Sequence, residues 1–280
     1  MAELARTVLL LGSSGMVYTD TGSDGSLPNL LAAELTQRTP SATWIGCAVE
    51  IPPARDMASR VAEAVQKHRP DAVVLATSAS YVTYDYIVAR VRRRWPRLFG
   101  AVRALSSGLK ALSGPGFEGS STARGWLFRA PRWFALQVVG EEPYMRVAHA
   151  ASNVRAALDY LADQAGLVTI CKLPTMSAEV SQRKERVYQE RLREFQSAMR
   201  ETCEERGIPF YELREAMAAD GKQEERVSDG LHSSLATRRW DAAFMAELIL
   251  EGLSRRSGSR QAEADSRAPR TPHEPGAGSP

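Results

Sequence analysis

Residues 7–15, Thr-Val-Leu-Leu-Leu-Gly-Ser-Ser-Gly, decide the fold of this 280-residue chain. Residues 7–11 are a continuous, mainly apolar run, which is typical of a strand buried on both faces of a parallel sheet. Gly12 closes the run, and the small residues after it form a tight turn. Because neighbouring parallel strands need a crossover connection, we expect a helix to follow.

The alternation of strand and helix continues along the chain. Further strands are predicted at residues 42–48, 71–77, 168–173 and 208–213, and helices at residues 28–38, 56–68, 151–165, 183–206 and 234–253. In the helix at 183–206, apolar side chains recur every three or four residues, as expected where a helix packs on a sheet. The pattern predicts an α/β fold with a doubly wound, mostly parallel five-stranded sheet between helices, which is a flavodoxin-like three-layer arrangement.

Two segments depart from this pattern. Residues 90–146 hold eleven Lys or Arg against three Glu, interleaved with aromatic side chains, although the whole chain has a formal net charge of only +3. We interpret residues 91–147 as a helical, cap-like insertion in a single domain of residues 1–253. The insertion is expected either to pack on its own domain or to act as a lid that offers cations to an anionic partner. Residues 254–280 have almost no large apolar side chain, which predicts a disordered tail.

The composition excludes several classes of protein. The three cysteines are widely spaced and form no CxxC pair, so neither a disulfide framework nor a zinc cluster is expected, and no cofactor is predicted. The apolar stretch near residue 10 is too short for a signal peptide or a membrane span, so we expect no transmembrane segment and a cytoplasmic location. No recognition motif accompanies the basic charge, so nucleic acid is not an expected partner.

Candidate functional residues lie where the predicted strands end. The loops at the carboxyl ends of parallel strands converge, and helix N-termini point their amide groups inward there. Ser14 follows the first strand, Gly46 ends the second, Ser80 follows the third, and Asp229 and His232 precede the last helix. Each motif alone also fits an ordinary turn or helix cap, but their joint position at the strand ends favours a functional site.

The pattern resembles the SGNH hydrolases, also called the GDSL family. Leu-Leu-Leu-Gly-Ser-Ser-Gly at residues 9–15 is similar to the first block of that family, with Ser14 in the place of the nucleophile and Ser13 where the family has Asp. Asp-Gly-Leu-His, which begins at Asp229, is similar to the family's last block. The resemblance implies a catalytic triad in which Ser14 is the nucleophile, His232 the base and Asp229 the carboxylate that orients the base.

Acyl-transfer chemistry gives a reason for these residue types. A serine hydroxyl is a weak nucleophile and needs a base within hydrogen-bond reach. The base in turn needs a partner that fixes its tautomer and stabilises the imidazolium. An Asp three residues before a His supplies partner and base from one loop, so the fold need only bring the end of the first strand beside that loop.

The oxyanion hole departs from the family's pattern. The resemblance implies three donors: the Ser14 amide, the Gly46 amide and a side chain in the position of the family's Asn. In this sequence Ser80 takes that position, at the end of Thr-Ser-Ala-Ser. A serine hydroxyl is shorter than a carboxamide but can still donate one hydrogen bond, and loss of one oxyanion donor typically costs about 10²–10³ in rate.

The sequence therefore predicts an SGNH-type serine esterase or thioesterase that acts on a small-molecule substrate through an acyl-enzyme on Ser14. Two alternatives stay open. An acyltransferase would pass the acyl group to an alcohol or amine, with an acyl carrier protein or an anionic substrate bound at the basic insertion. A degenerate member of the fold would bind a ligand or carry out non-hydrolytic chemistry, and the missing Asn is the main support for that reading.

Overall fold

The structure is a computed structural model that describes residues 4–12, 16, 23–83, 85–86, 90, 93–94, 142–175, 182–227 and 232–267. Within these ranges the strands are β1 (Leu4–Gly12), β2 (Ala42–Glu50), β3 (Ala72–Ala76), β4 (Asp85–Tyr86), β5 (Glu142–Pro143), β6 (Val168–Leu173) and β7 (Phe210–Glu212). The helices are α1 (Leu27–Arg38), α2 (Met57–His68), α3 (Ser80–Thr83), α4 (Val147–Ala162), α5 (Gln182–Arg206), α6 (Leu213–Ala219) and α7 (Leu235–Arg267).

Five of these strands form one parallel sheet in the order β2-β1-β3-β6-β7. The chain starts in β1, moves to β2 at one edge, and then crosses back to build the other half outward from β3. This is the doubly wound α/β fold predicted from the sequence. The direction of winding reverses between β1 and β3, and ligands in such sheets bind at the carboxyl ends of the strands beside that reversal.

Helices cover both faces of the sheet. On one face, α1 and α7 pack over a core that includes Leu31, Leu35, Met245 and Ile249. On the other face, α2, α4 and α5 pack over a second core, in which Phe195 of α5 is fully buried. Strand residues alternate between the two cores, since Val8 and Leu10 belong to the first, and Leu9 and Leu11 to the second. The continuous apolar run predicted a strand buried on both faces, and β1 is one.

The last helix runs antiparallel to the strands. Asp241 of α7 pairs with Lys172, near the carboxyl end of β6. Eleven residues later, Gly252 lies against Val168 at the start of the same strand, where an added Cβ would be 2.8 Å from Val168 Cγ1. The N-terminus of α7 therefore lies at the carboxyl edge of the sheet.

Two predicted boundaries differ from the structure. The second strand does not end at Gly46 or Ala48; it pairs with β1 as far as Glu50. The last helix does not end at Leu253 but continues to Arg267, into the segment predicted as a disordered tail. An ion pair between Arg255 and Glu251, four residues apart on α7, supports this extension. Residues 268–280 of the predicted tail lie outside the described residues.

Most of the predicted 91–147 insertion also lies outside the described residues, but the two ends of the segment are defined. β4 and β5 pair antiparallel, with Tyr86 opposite Glu142. Below this pair the Met145 amide donates to the Tyr81 carbonyl at 2.9 Å, and the rings of Tyr81 and Tyr144 pack edge to face at 5.6 Å. We call this paired base, residues 81–86 and 142–145, the stem. Residues 86 and 142, the two ends of the segment, are thus paired with each other shortly after α3.

None of the helices in the described part of the chain is both long and apolar enough to span a bilayer.

Candidate active site

The end of β1 is shaped by a close backbone contact. Gly12 lies beside the end of β3, and a Cβ on it would overlap the Ala76 carbonyl oxygen. The Gly12 carbonyl accepts a hydrogen bond of 2.6 Å from the amide of Ile51, on the loop after β2. Only glycine fits this position, so the chain leaves β1 packed between its two neighbouring strands. Ser14, two residues further on, lies outside the described residues, and its role as nucleophile stays a prediction.

Ser80 begins α3 at the carboxyl end of β3, as predicted. Its hydroxyl lies 2.8 Å from the hydroxyl of Ser78, and its amide donates to Ser78 Oγ at 3.3 Å. Both side chains are half-buried. Between them, Ala79 is buried against Tyr188 and Leu192 of α5, which fixes the turn to the body of the domain. The contact between Ser78 and Ser80 was not predicted. The only signal for it in the sequence is that the two serines are two positions apart in a turn.

His232 lies three residues before α7 and is half-buried. Because α7 runs antiparallel to the strands, this position is beyond the carboxyl edge of the sheet, on the side where β1 and β3 end. Arg238 of α7 is buried and donates to the Gly25 carbonyl at 2.7 Å, on the segment that connects β1 to α1. The structure therefore brings the His232 loop toward the segment that follows β1. Asp229 lies outside the described residues, so its contact with His232 stays a prediction.

Gly46 does not lie at this edge. It pairs with Val8 in the middle of β2, four residues before Glu50, which pairs with Gly12 at the end of the strand. At about 3.3 Å per residue, Gly46 is roughly 13 Å below the edge of the sheet. A Cβ on Gly46 would overlap the carbonyl oxygen of Pro28, in the first turn of α1. The glycine is thus explained by close packing of a helix, and we do not retain Gly46 as an oxyanion donor.

A buried polar cluster near the edge was not predicted. Asp241 of α7 pairs with Lys172 of β6 and accepts a hydrogen bond of 2.6 Å from the hydroxyl of Tyr211 on β7. Burial, and then the adjacent Asp241 carboxylate, raise the pKa of Tyr211 well above its usual value. The lysine in the otherwise apolar strand 168–173 was the one signal in the sequence. The cluster fixes α7 against the sheet nine residues after His232.

Comparison with known proteins gives the same fold. A lipase/acylhydrolase from Enterococcus faecalis is 17% identical, with 87% of this chain and 95% of that one covered and a TM-score of 0.51. A carbohydrate acetylesterase family member from Sinorhizobium meliloti is 11% identical, with 89% and 99% covered and a TM-score of 0.52. Est24, a carbohydrate acetylesterase from the same organism, is 11% identical, with 88% and 99% covered and a TM-score of 0.50. At such identities the likeness shows the fold alone.

No curated protein matches the sequence at a significant level. The GDSL-like lipase/acylhydrolase family, in contrast, matches it over residues 10–240. That range includes the residues after β1, the serines at the start of α3 and the loop before α7. The first and the last of these carried the resemblance seen in the sequence. The chain therefore belongs to the GDSL-like lipase/acylhydrolase family.

Proposed function

We propose that this chain is a serine hydrolase that cleaves a small-molecule ester or thioester through an acyl-enzyme on Ser14. Its family supports the coarser assignment, a hydrolase of ester substrates. The finer proposal rests on the direction of α7. Because Asp241 lies at the end of β6 and Gly252 at its start, His232 lies beyond the edge at which β1 leads to Ser14 and β3 leads to Ser80.

In the proposed first step, Ser14 Oγ attacks the carbonyl carbon of the substrate while His232 accepts the hydroxyl proton. Asp229 holds the imidazole in the required tautomer and stabilises its positive charge. The tetrahedral intermediate collapses when the bond to the leaving group breaks, and His232 gives the proton to that alkoxide or thiolate. The products of this step are an acyl ester on Ser14 and a free alcohol or thiol.

In the second step, water attacks the acyl ester and His232 again accepts the proton. The acid leaves, and the proton returns to Ser14 Oγ, so the enzyme is regenerated. Both steps develop negative charge on the carbonyl oxygen. We assign its stabilisation to the Ser14 amide and the Ser80 hydroxyl. If Ser78 Oγ donates to Ser80 Oγ across their 2.8 Å contact, the hydrogen of Ser80 is available to the substrate.

Labelling with a fluorophosphonate probe tests the nucleophile. The probe should form a covalent adduct with the folded protein, and peptide mass spectrometry should place the adduct on Ser14. Ser14→Ala should abolish labelling while the circular dichroism spectrum stays that of the wild type. Ser13→Ala is the matched control, because it removes the adjacent hydroxyl from the same turn, and it should still be labelled.

An adduct on Ser13, or an unlabelled wild-type protein, would contradict the assignment of Ser14. In that case the non-hydrolytic member of the fold becomes the better description, because a binding protein does not need an activated serine.

One observation favours acyl transfer as a second candidate. β4 follows α3 in the stem, so the basic segment between residues 87 and 141 begins only seven residues after Ser80. Cations at that place would suit an anionic acyl acceptor or donor. Product analysis with added alcohol or amine separates the two reactions: a hydrolase yields mainly the free acid, and an acyltransferase yields mainly the new ester or amide.

A further inference from the structure

We propose that Glu224 is a positioning residue that holds the two arms of the His232 loop together and so places the imidazole for catalysis. The inference builds on the proposed function, in which His232 is the general base. The loop is defined here as residues 224–234, of which the structure describes 224–227 and 232–234.

Glu224 is the centre of a group of polar contacts. Its side chain is only 4% exposed. One carboxylate oxygen accepts from Arg214 Nε at 2.6 Å, and the Nη2 atom of Arg226 lies 2.8 Å from one oxygen and 3.0 Å from the other. The hydroxyl of Ser233 also approaches the carboxylate, at 3.4 Å. Glu224 thus contacts the first arm through Arg226 and the second arm through Ser233, the residue after His232.

The backbone of the two arms pairs across the same place. Arg226 and Ser233 form an antiparallel bridge. Above the bridge the Val227 amide donates to the carbonyl of His232 at 2.9 Å, and below it the Ser234 amide donates to the carbonyl of Glu225 at 2.8 Å. The main chain of His232 is therefore fixed by a short hairpin base, and Glu224 lies beside the central pair of that base.

Thr237 connects this base to α7. Its side chain is buried, and its hydroxyl bonds to both the amide and the carbonyl of Glu225, at 2.9 and 3.0 Å. The amide of Thr237 donates to Ser234 Oγ at 3.2 Å, so Ser234 caps the N-terminus of α7. These hydrogen bonds join the hairpin base to the start of α7. Glu224 contacts both arms of that base through its carboxylate.

The charge on Glu224 suits a structural role. Burial alone would raise the pKa of this carboxyl, but the hydrogen bond from Arg214 and the charge of Arg226 outweigh burial and hold the pKa below its usual range. The carboxylate is ionised at neutral pH and its oxygens already have partners. It therefore acts through the arms it joins, and not as a second acid or base in the reaction.

Glu224→Gln tests the inference by keeping the shape and removing the charge. We expect kcat for a small p-nitrophenyl ester to fall by up to about 10²-fold, because a misplacement of about 1 Å has that effect, while KM stays unchanged. Each variant is assayed well below its own melting temperature, so that loss of folded protein does not contribute. Glu215→Gln is the control. Glu215 pairs with Arg200 at 2.6 Å and is 63% exposed, and this variant should retain the wild-type kcat.

A disulfide across the arms provides the rescue. Residues opposite each other in an antiparallel pair have Cα atoms about 4.5–5.5 Å apart, within the range that a disulfide spans. Arg226→Cys and Ser233→Cys, added to Glu224→Gln, should restore kcat to near the wild-type value when oxidised and lose it again on reduction. This result would show that any link between the two arms is sufficient, as expected if Glu224 is a positioning residue.

Two results would overturn the inference: an unchanged kcat in Glu224→Gln, or a reduced kcat that the oxidised disulfide does not restore. Amide hydrogen exchange separates these from a failure of the proposed function. In Glu224→Gln the amides of Val227 and Ser234 should exchange faster, whether or not the protein hydrolyses esters. If they remain protected, Glu224 does not hold the arms. If Ser14 is not labelled although these amides exchange faster in Glu224→Gln, the proposed function is wrong, but the inference about Glu224 holds.

Discussion

The contact with Ser78 indicates where the hydroxyl hydrogen of Ser80 points. The amide of Ser80 donates to Ser78 Oγ, which favours Ser78 as the donor in the contact between the two hydroxyls. The hydrogen of Ser80 then points elsewhere, and a developing oxyanion at the edge of the sheet would be a suitable acceptor. Ser80 would then donate the hydrogen bond that the family's Asn donates, and Ser78 would orient the Ser80 hydroxyl.

Ser80→Ala should lower kcat by about 10²–10³ with little change in KM, since the oxyanion develops only in the transition state. Ser78→Ala, the matched control, keeps the hydroxyl at position 80 and should cause a smaller loss. Steady-state kinetics with a p-nitrophenyl ester checks both variants. Equal kcat values in the wild type and Ser80→Ala would show that the oxyanion is stabilised by other groups.

The triad makes a separate prediction. His232→Ala should remove nearly all ester hydrolysis, and Asp229→Asn should lower kcat by about 10⁴ if the value for serine proteases applies, because the imidazole then adopts the wrong tautomer. His149→Ala is the control, since His149 lies exposed in the first turn of α4 and should not affect the rate. Wild-type activity in either loop variant would be incompatible with this triad.

At the scale of elements, the contact between α1 and β2 depends on Gly46. Because a Cβ there would overlap a backbone oxygen of Pro28, Gly46→Ala should force α1 away from the sheet and destabilise the domain by about 1–3 kcal/mol. Thermal unfolding measures the loss. A variant that keeps its melting temperature but loses kcat would instead return Gly46 to the oxyanion hole.

The loop before α7 should be sensitive to acid. A carboxyl whose pKa is lower in the folded state contributes stability above its unfolded pKa, about 4.3 for Glu, and that contribution is lost as the pH falls through the folded pKa. Glu224 is such a group. The melting temperature of the wild type should therefore decrease more steeply below about pH 4.3 than that of Glu224→Gln, whereas at neutral pH the wild type should be the more stable protein. Parallel slopes for the two proteins would count against an ionised Glu224.

The elements themselves could largely be predicted from sequence. Apolar runs and helical periodicity indicated all five strands of the sheet and the five long helices that flank it, most of them within a few residues of the observed bounds. The last helix is the exception, since it ends 14 residues beyond its predicted end. The end of β2 was wrong because Gly46 looks like a strand end, whereas pairing with β1 carries the strand on to Glu50. Such pairing depends on a partner more than thirty residues away and has no local signature.

The polar clusters could not be predicted for the same reason. Lys172 and Asp241 are 69 residues apart in sequence, and Tyr211 reaches Asp241 from a third element. The group at Glu224 is local, but a run of alternating charges near a turn usually indicates a solvated loop. Only the fold brings Arg214 of α6, Arg226 and Ser233 around the Glu224 side chain, which is 4% exposed.

At the scale of the whole molecule, the stem predicts that the basic segment can be removed. Since Tyr86 and Glu142 are paired, a two-residue hairpin turn can replace residues 87–141. The replacement also removes the two hydrogen bonds that Arg93 donates to the carbonyls of Pro143 and Tyr144. The shortened protein should remain soluble, melt near the wild-type temperature and still react with a fluorophosphonate at Ser14. It should lose any preference for anionic substrates over neutral ones, measured as a ratio of kcat/KM values.

If the shortened protein is insoluble or fails to show a cooperative melting transition, the segment belongs to the core of the domain. A shortened protein that folds but keeps the substrate preference would show that the charge of the segment does not act at the site.

The two helices that cover one face of the sheet come from opposite ends of the described chain: α1 follows the first strand, and α7 begins at Leu235. While the ribosome is still making the polypeptide, that face lacks half of its cover, and side chains such as Val74 and Ile170 stay open to water until α7 emerges. We therefore expect that a chain lacking α7 exposes apolar surface on that face, which favours aggregation. In the same order of synthesis Ser14, the proposed nucleophile, is made more than two hundred residues before His232, the proposed base.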